Sequence, residues 1–188
     1  TLGASTITVS GDNPNSIWPW DWGSATAGSV VNGNTSTITV SSTSATDRRF
    51  VGGGKTYNNV TVSAGGTGIV LFQGSNTFNI LTLNGVKSVR FTAGTTQTVT
   101  SFVGNGSVGN VVTIDTQTAG SAATLSDSSG TNTATSCSIK DSTATGGAIW
   151  NAFTSDGNTN VSGNTGWNFA PVVAGGGISP MAMLIGVG

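Results

Sequence analysis

The sequence has no histidine among its 188 residues. That removes the residue most used as a general base near neutral pH and most used as a metal ligand. There is no glutamate, so the acidic groups are seven scattered aspartates: Asp12, Asp21, Asp47, Asp115, Asp127, Asp141 and Asp156. Charged residues make up 7% of the chain, against roughly 25% in an ordinary soluble domain. With six Lys and Arg and a formal net charge of −1, the chain lacks the basic footprint that nucleic acid requires. Net charge also gives it no general attraction to an anionic membrane. The single Cys137 excludes an internal disulfide, so stability has to come from size, repetition or oligomerisation. No window sustains a 3.6-residue apolar period, so helix content should be very low.

What is present is glycine, threonine and short alternating apolar runs. Alternation with period two reads as strand, and β-branched Thr suits a pleated surface. Ser5-Thr6-Ile7-Thr8-Val9-Ser10 recurs identically as Ser36-Thr37-Ile38-Thr39-Val40-Ser41. Between the copies lies Trp18-Pro19-Trp20-Asp21-Trp22, where the proline argues against a central strand. From residue 50 onward a repeat emerges. Thr56–Val62, Thr77–Leu83, Thr96–Phe102 and Thr133–Ile139 align, with intervening runs such as Ile69–Phe72, Val89–Phe91 and Val111–Ile114. Glycine or Asn-Gly punctuates the gaps.

A repeat near 20 residues, with two short strands per period, predicts a short, parallel β-helix-like solenoid whose coils bury a core only by stacking. The rival is an antiparallel sandwich or jelly roll, which Asn84-Gly85 and Asn105-Gly106 would favour as hairpin turns. The solenoid is the preferred architecture, with Val60, Val62, Leu81, Leu83, Phe102 and Ile139 pointing into one core. Three zones follow: an N-terminal β arm with the Trp-rich segment (1–49), a β-repeat domain (50–170) and a Gly-hinged apolar tail (171–188). Trp150, Phe153, Trp167 and Phe169 are candidates to cap the open end of the repeat.

The motifs Gly53-Gly54-Lys55-Thr56-Tyr57-Asn58-Asn59-Val60, Gly74-Ser75-Asn76-Thr77-Phe78-Asn79 and Phe91-Thr92-Ala93-Gly94-Thr95-Thr96-Gln97-Thr98-Val99 occur in order. They are followed by Ser138–Trp150 and by Gly163-Asn164-Thr165-Gly166-Trp167. Together they resemble a β-repeat module of tailed-bacteriophage virion proteins and bacterial surface proteins, over about residues 52–169. The resemblance implies a non-enzymatic structural role. On the phage side this would be a capsid decoration (cement) protein or a head or tail fibre on the virion surface; the alternative is a bacterial cell-surface or extracellular-filament protein. It also implies a homotrimer in contact with capsid or tail proteins.

Candidate chemistry is weighed against turn chemistry. Asp115 and Asp141 are candidates for neighbouring coils, as a polysaccharide-cleaving solenoid would need, but no basic partner is legible beside them. Asp in turns caps backbone N–H groups, and that reading is preferred. Asp156-Gly157-Asn158-Thr159-Asn160 resembles a fragment of a Ca²⁺ loop but has too few acidic oxygens. Gly52-Gly53-Gly54-Lys55-Thr56 lacks the spacing of a phosphate loop and reads as a tight turn. Cys137 reads as a small buried apolar residue. No catalytic residue, cofactor or bound metal is expected. The interface candidates are Trp18, Trp20 and Trp22, with Met181, Met183, Leu184 and Ile185 of a tail too short for the ~20 residues of a membrane span.

Overall fold

The computed structural model describes residues 2–10, 20–21, 30–63, 65–85 and 88–170. Among these residues sixteen strands follow one another almost without helix. The first eight are β1 (Thr6–Val9), β2 (Trp20–Asp21), β3 (Thr37–Val40), β4 (Arg48–Val51), β5 (Thr56–Ser63), β6 (Val70–Gln73), β7 (Thr77–Asn84) and β8 (Ser88–Phe91). Then come β9 (Thr96–Asn105), β10 (Val112–Thr116), β11 (Ala123–Ser126), β12 (Thr131–Thr135) and β13 (Cys137–Lys140). The last are β14 (Ser142–Thr145), β15 (Ile149–Asn151) and β16 (Thr159–Ser162), with one 3₁₀ turn at Thr154–Asp156.

The strands form two parallel sheets, a β-solenoid of about six turns. The first sheet runs β1-β3-β5-β7-β9 and continues beyond β9; the second runs β2-β4-β6-β8-β10-β13-β16. The antiparallel rival fails because every strand-to-strand pairing is parallel. Asn84-Gly85 and Asn105-Gly106 turn corners between the sheets. Gly85 takes a left-handed φ of 79° there, a conformation that costs glycine little.

Stacking puts like on like. The two identical hexapeptides sit in register, Ile7 on Ile38 and Val9 on Val40. The inward file then runs Ile38, Val60, Leu81, Phe102, and its neighbour Val40, Val62, Leu83. All seven are at most 1% exposed. In the second sheet Phe50, Phe72 and Phe91 pair in register. Their rings lie 5.0 and 5.4 Å apart, close to the 4.7–4.9 Å spacing between strands. The compositional boundary at 49/50 falls inside β4, and β3 pairs with β5, so described strands of the first zone belong to the same stack.

Two registers differ from the repeat read in the sequence. Thr77 pairs with Thr98, a spacing of 21 residues, rather than with Thr96. A slip of two leaves every side chain on its own face, so the inward assignment of Leu81 and Phe102 survives. Thr133–Ile139 does not repeat Thr96–Phe102. Thr133 pairs with Val103, whereas Ile139 pairs with Ile114 in the second sheet. Ile139 therefore enters the same core from the opposite wall.

The cause is a fork. The first half of β9 pairs with β11, the second half with β12, and these continue to β14 and β15. Between β11 and β12 the chain bends at Asp127–Gly130, so each later coil has three strands. At the bend Asn132 is fully buried, and its Oδ1 accepts the Phe102 N–H at 2.6 Å while Nδ2 donates to Asp127 at 2.9 Å. Trp150 and Trp167 fill the wider end, edge to face at 5.2 Å and both against Phe102.

Leu81 has no exposed surface, so Leu81→Ala should lower unfolding free energy by about 2–5 kcal/mol in urea titration. Leu81→Asp should prevent folding, since its charge would be buried without a partner. Gly52→Ala should also destabilise, because a Cβ there would overlap the Asn76 carboxamide.

Candidate functional site

Trp20 is half-buried in the chain's own aromatic cluster. Its ring stacks on Phe50 at 6.1 Å, and its Nε1 donates to the Tyr57 hydroxyl at 3.2 Å. Tyr57 in turn donates to the Gly52 carbonyl at 2.8 Å. Burial pushes its phenol up to about 12, against a lowering by the Trp20 bond. Trp18, Trp22, Met181, Met183, Leu184 and Ile185 lie outside the described residues. No helix among the described residues is long and apolar enough to cross a membrane.

The described candidates of the sequence reading are engaged in holding turns. Asp47 Oδ1 accepts the Ile69 N–H at 2.9 Å, and Asp127 Oδ2 accepts from Asn132. In the Ca²⁺-loop-like segment, Asn158 Oδ1 accepts the Cys137 N–H at 2.8 Å. Its Nδ2 donates to the Ala134 and Phe153 carbonyls. Gly53 and Gly54 have φ of 60° and 69°, and Asn76 Oδ1 accepts the Gly54 N–H, so that segment is a tight turn. Cys137 is fully buried and donates to the Thr135 carbonyl at 3.4 Å.

Asp115 and Asp141 do meet, and the basic partner that the sequence did not reveal is Lys140. Its Nζ lies 3.3 Å from Asp141 Oδ2 and 3.8 Å from Asp115 Oδ1. Yet Asp141 is 3% exposed, and the same Oδ2 accepts the Gly120 N–H at 2.8 Å. That backbone bond, with the adjacent ammonium helping and burial opposing, holds its carboxyl below the usual range. A carboxylate kept ionised in this way is a poor proton donor for glycoside cleavage. Asp115 Oδ1 is shared with the Thr116 N–H at 2.8 Å. Among the described residues, no three His, Cys, Asp or Glu side chains cluster as a metal site would need.

Two concave surfaces stand out among the described residues. On the first sheet a groove of about 490 Å³ has Thr56, Asn58, Thr77, Asn79 and Thr100 along it, with no charged residue. On the second sheet a cleft of about 300 Å³ is lined by Asp47, Arg48, Arg49, Ile69, Leu71, Arg90 and Gln117. Its basis is register: Arg49, Leu71, Arg90 and Asp115 are successive partners along one outward file. Sequence reasoning missed this file, although the alternation in Val89-Arg90-Phe91 marks Arg90 as outward. Comparison with protein-family models, with curated proteins and with solved structures finds no match.

Two pH effects follow. Burial pushes the Cys137 thiol up to about 11, above the ordinary value of about 8.5. The neutral thiol's contribution is therefore complete below about pH 8.5 and is lost as pH rises toward the folded value. Ellman's reagent at pH 8 should react only after denaturant is added. Asp141 has the opposite sign: its contribution is present above about pH 4 and is lost as pH falls through its lowered folded value. Acid melts of Asp141→Asn should show a flatter acid limb and a lower melting temperature at pH 7.

Proposed function

We propose that this chain is a non-enzymatic structural component of a bacteriophage virion, a capsid decoration (cement) protein or a head or tail fibre. The observation that supports a structural role is where the polar side chains go. Asn76, Asn132, Asn158 and Asn164 are tied to backbone groups of other coils, and Asp47, Asp127 and Asp141 to turns. These groups stiffen a rod and leave few free for proton transfer. The resemblance of the repeat motifs to virion modules supports the phage setting, with the virion surface as the location.

The same module supports a second reading, a bacterial cell-surface or extracellular-filament protein. A polysaccharide-cleaving solenoid is the third, favoured only by the meeting of Asp115, Lys140 and Asp141 and opposed by the bonds that fix Asp141. An antibody to the chain, used on gradient-purified particles and on the bacterial envelope, separates the first two: labelling of particles supports the virion, labelling of envelope alone overturns it. Release of reducing ends or unsaturated sugars from a host glycan, abolished by Asp115→Asn, would establish the third.

We further propose a homotrimer that contacts capsid or tail proteins. Among the described residues β1 has a partner strand on one side only, and Ile7 and Val9 are half-buried there. Such edges invite pairing unless covered. Sedimentation at micromolar concentration should give about three times the 18.6 kDa chain mass, and a monomer would count against the proposal. Deleting 178–188 should abolish the oligomer or its incorporation into particles and leave domain melting unchanged.

A further inference from the structure

The cationic cleft on the outward face of the second sheet is a built feature of an almost uncharged surface. Arg49 and Arg90 face it against one aspartate, Asp47, with Arg48 behind them in the register file of Val70 and Val89. Arg48 is 1% exposed and donates to the Thr46 and Asp47 carbonyls, which fixes one wall. Leu71 points outward between Arg49 and Arg90 and is still only 8% exposed. The Arg49 and Arg90 stems flank it along the file, as long cationic side chains do over apolar surface. Their Cα atoms are two strands apart, about 9–10 Å. Arg90 Nε is buried and has no hydrogen-bond partner among the described residues. Asp115, its neighbour in register, is instead engaged by Thr116 and Lys140. A buried donor without an acceptor costs free energy, and an oxyanion entering the cleft would supply one.

Two observations favour a carboxylate carried on a sugar over an inorganic dianion. Asp47 faces the same cleft, which penalises a second negative charge on the guest. Beside Arg90 and Asp115 stand the hydroxyls of Ser88 and Thr113, paired in register, whereas Asp47 and Ile69 hold that offset beside Arg49 and Leu71. This hydroxyl pair lies two residues along its strands, about 6.7 Å from Arg90 and Asp115, a distance one sugar ring spans. We propose that this cleft binds the carboxylate of an acidic saccharide. Arg90 receives the carboxylate, Gln117 lies at the rim, and Ser88 and Thr113 meet the ring hydroxyls. This site is independent of the virion reading, since a surface filament could use it equally.

The test is titration of the full chain by NMR or calorimetry with cellobiuronic acid, its neutral counterpart cellobiose, and inorganic phosphate. The expected result is saturable binding of the uronic acid, at least tenfold weaker binding of cellobiose and phosphate, and at least tenfold loss of uronate affinity in Arg90→Gln. If Arg90→Gln does not fold, Gln117→Ala at the exposed rim should weaken binding several-fold. No binding at millimolar uronate, or unchanged affinity in the folded variants, overturns the proposal. Phosphate binding as tight as uronate overturns the saccharide assignment.

Discussion

Each coil of this protein depends on the next for its backbone hydrogen bonds. A parallel strand cannot satisfy its own N–H and C=O groups, and a buried group left unpaired costs free energy comparable to a lost hydrogen bond. In-register stacking meets that demand along the strands and simultaneously lays identical or similar side chains over one another, as with the two Thr-Ile-Thr-Val strands. Where the ladder is interrupted, carboxamides take the place of a peptide group. Asn132, Asn158 and Asn164 each accept a backbone N–H of another coil, and the latter two also donate to carbonyls there. The asparagines at the corners are therefore part of the ladder where the fold changes from two to three strands per coil.

The same constraint explains what could be read from the residues alone. Period-two alternation and a spacing near 20 are direct consequences of stacking, so the solenoid and its inward side chains were legible. The fork was not. β11 and β12 carry short Thr- and Ala-rich runs, and nothing in Thr133-Ala134-Thr135 distinguishes a third wall from a repeat of the first. The register of β9 was misread by two residues because Thr occurs at nearly every other position from Thr96 to Thr100. What fixes it is the pairing of Asn76 with Gln97, whose side chains bond at 3.0 Å within the core. Side-chain amides inside a strand stack carry register information that hydrophobic periodicity lacks.

The candidate site was less legible for a related reason. Sequence reading weights charged residues by local clustering, whereas a solenoid gathers residues one period apart. Arg49, Arg90 and Asp115 are 41 and 25 positions apart in sequence yet lie on one outward file. Lys140, placed next to Asp141 by the chain, is placed beside Asp115 only by the fold.

Low overall charge sharpens the effect of the charges that remain. In a surface crowded with Lys and Glu, a guanidinium has mobile counter-charges nearby and a single arginine carries little information. Here many outward positions are Ser, Thr and Asn, so the few charges that the register gathers around Arg90 stand apart from a neutral surface. Arg90 acquires its charged neighbours, Arg49, Asp47 and Asp115, only because the fold stacks them, and the strand spacing sets its place beside Leu71. A fold selected for stacking neutral side chains thus pre-organises any charged position it admits, and a recognition site can arise on it from one outward substitution per coil.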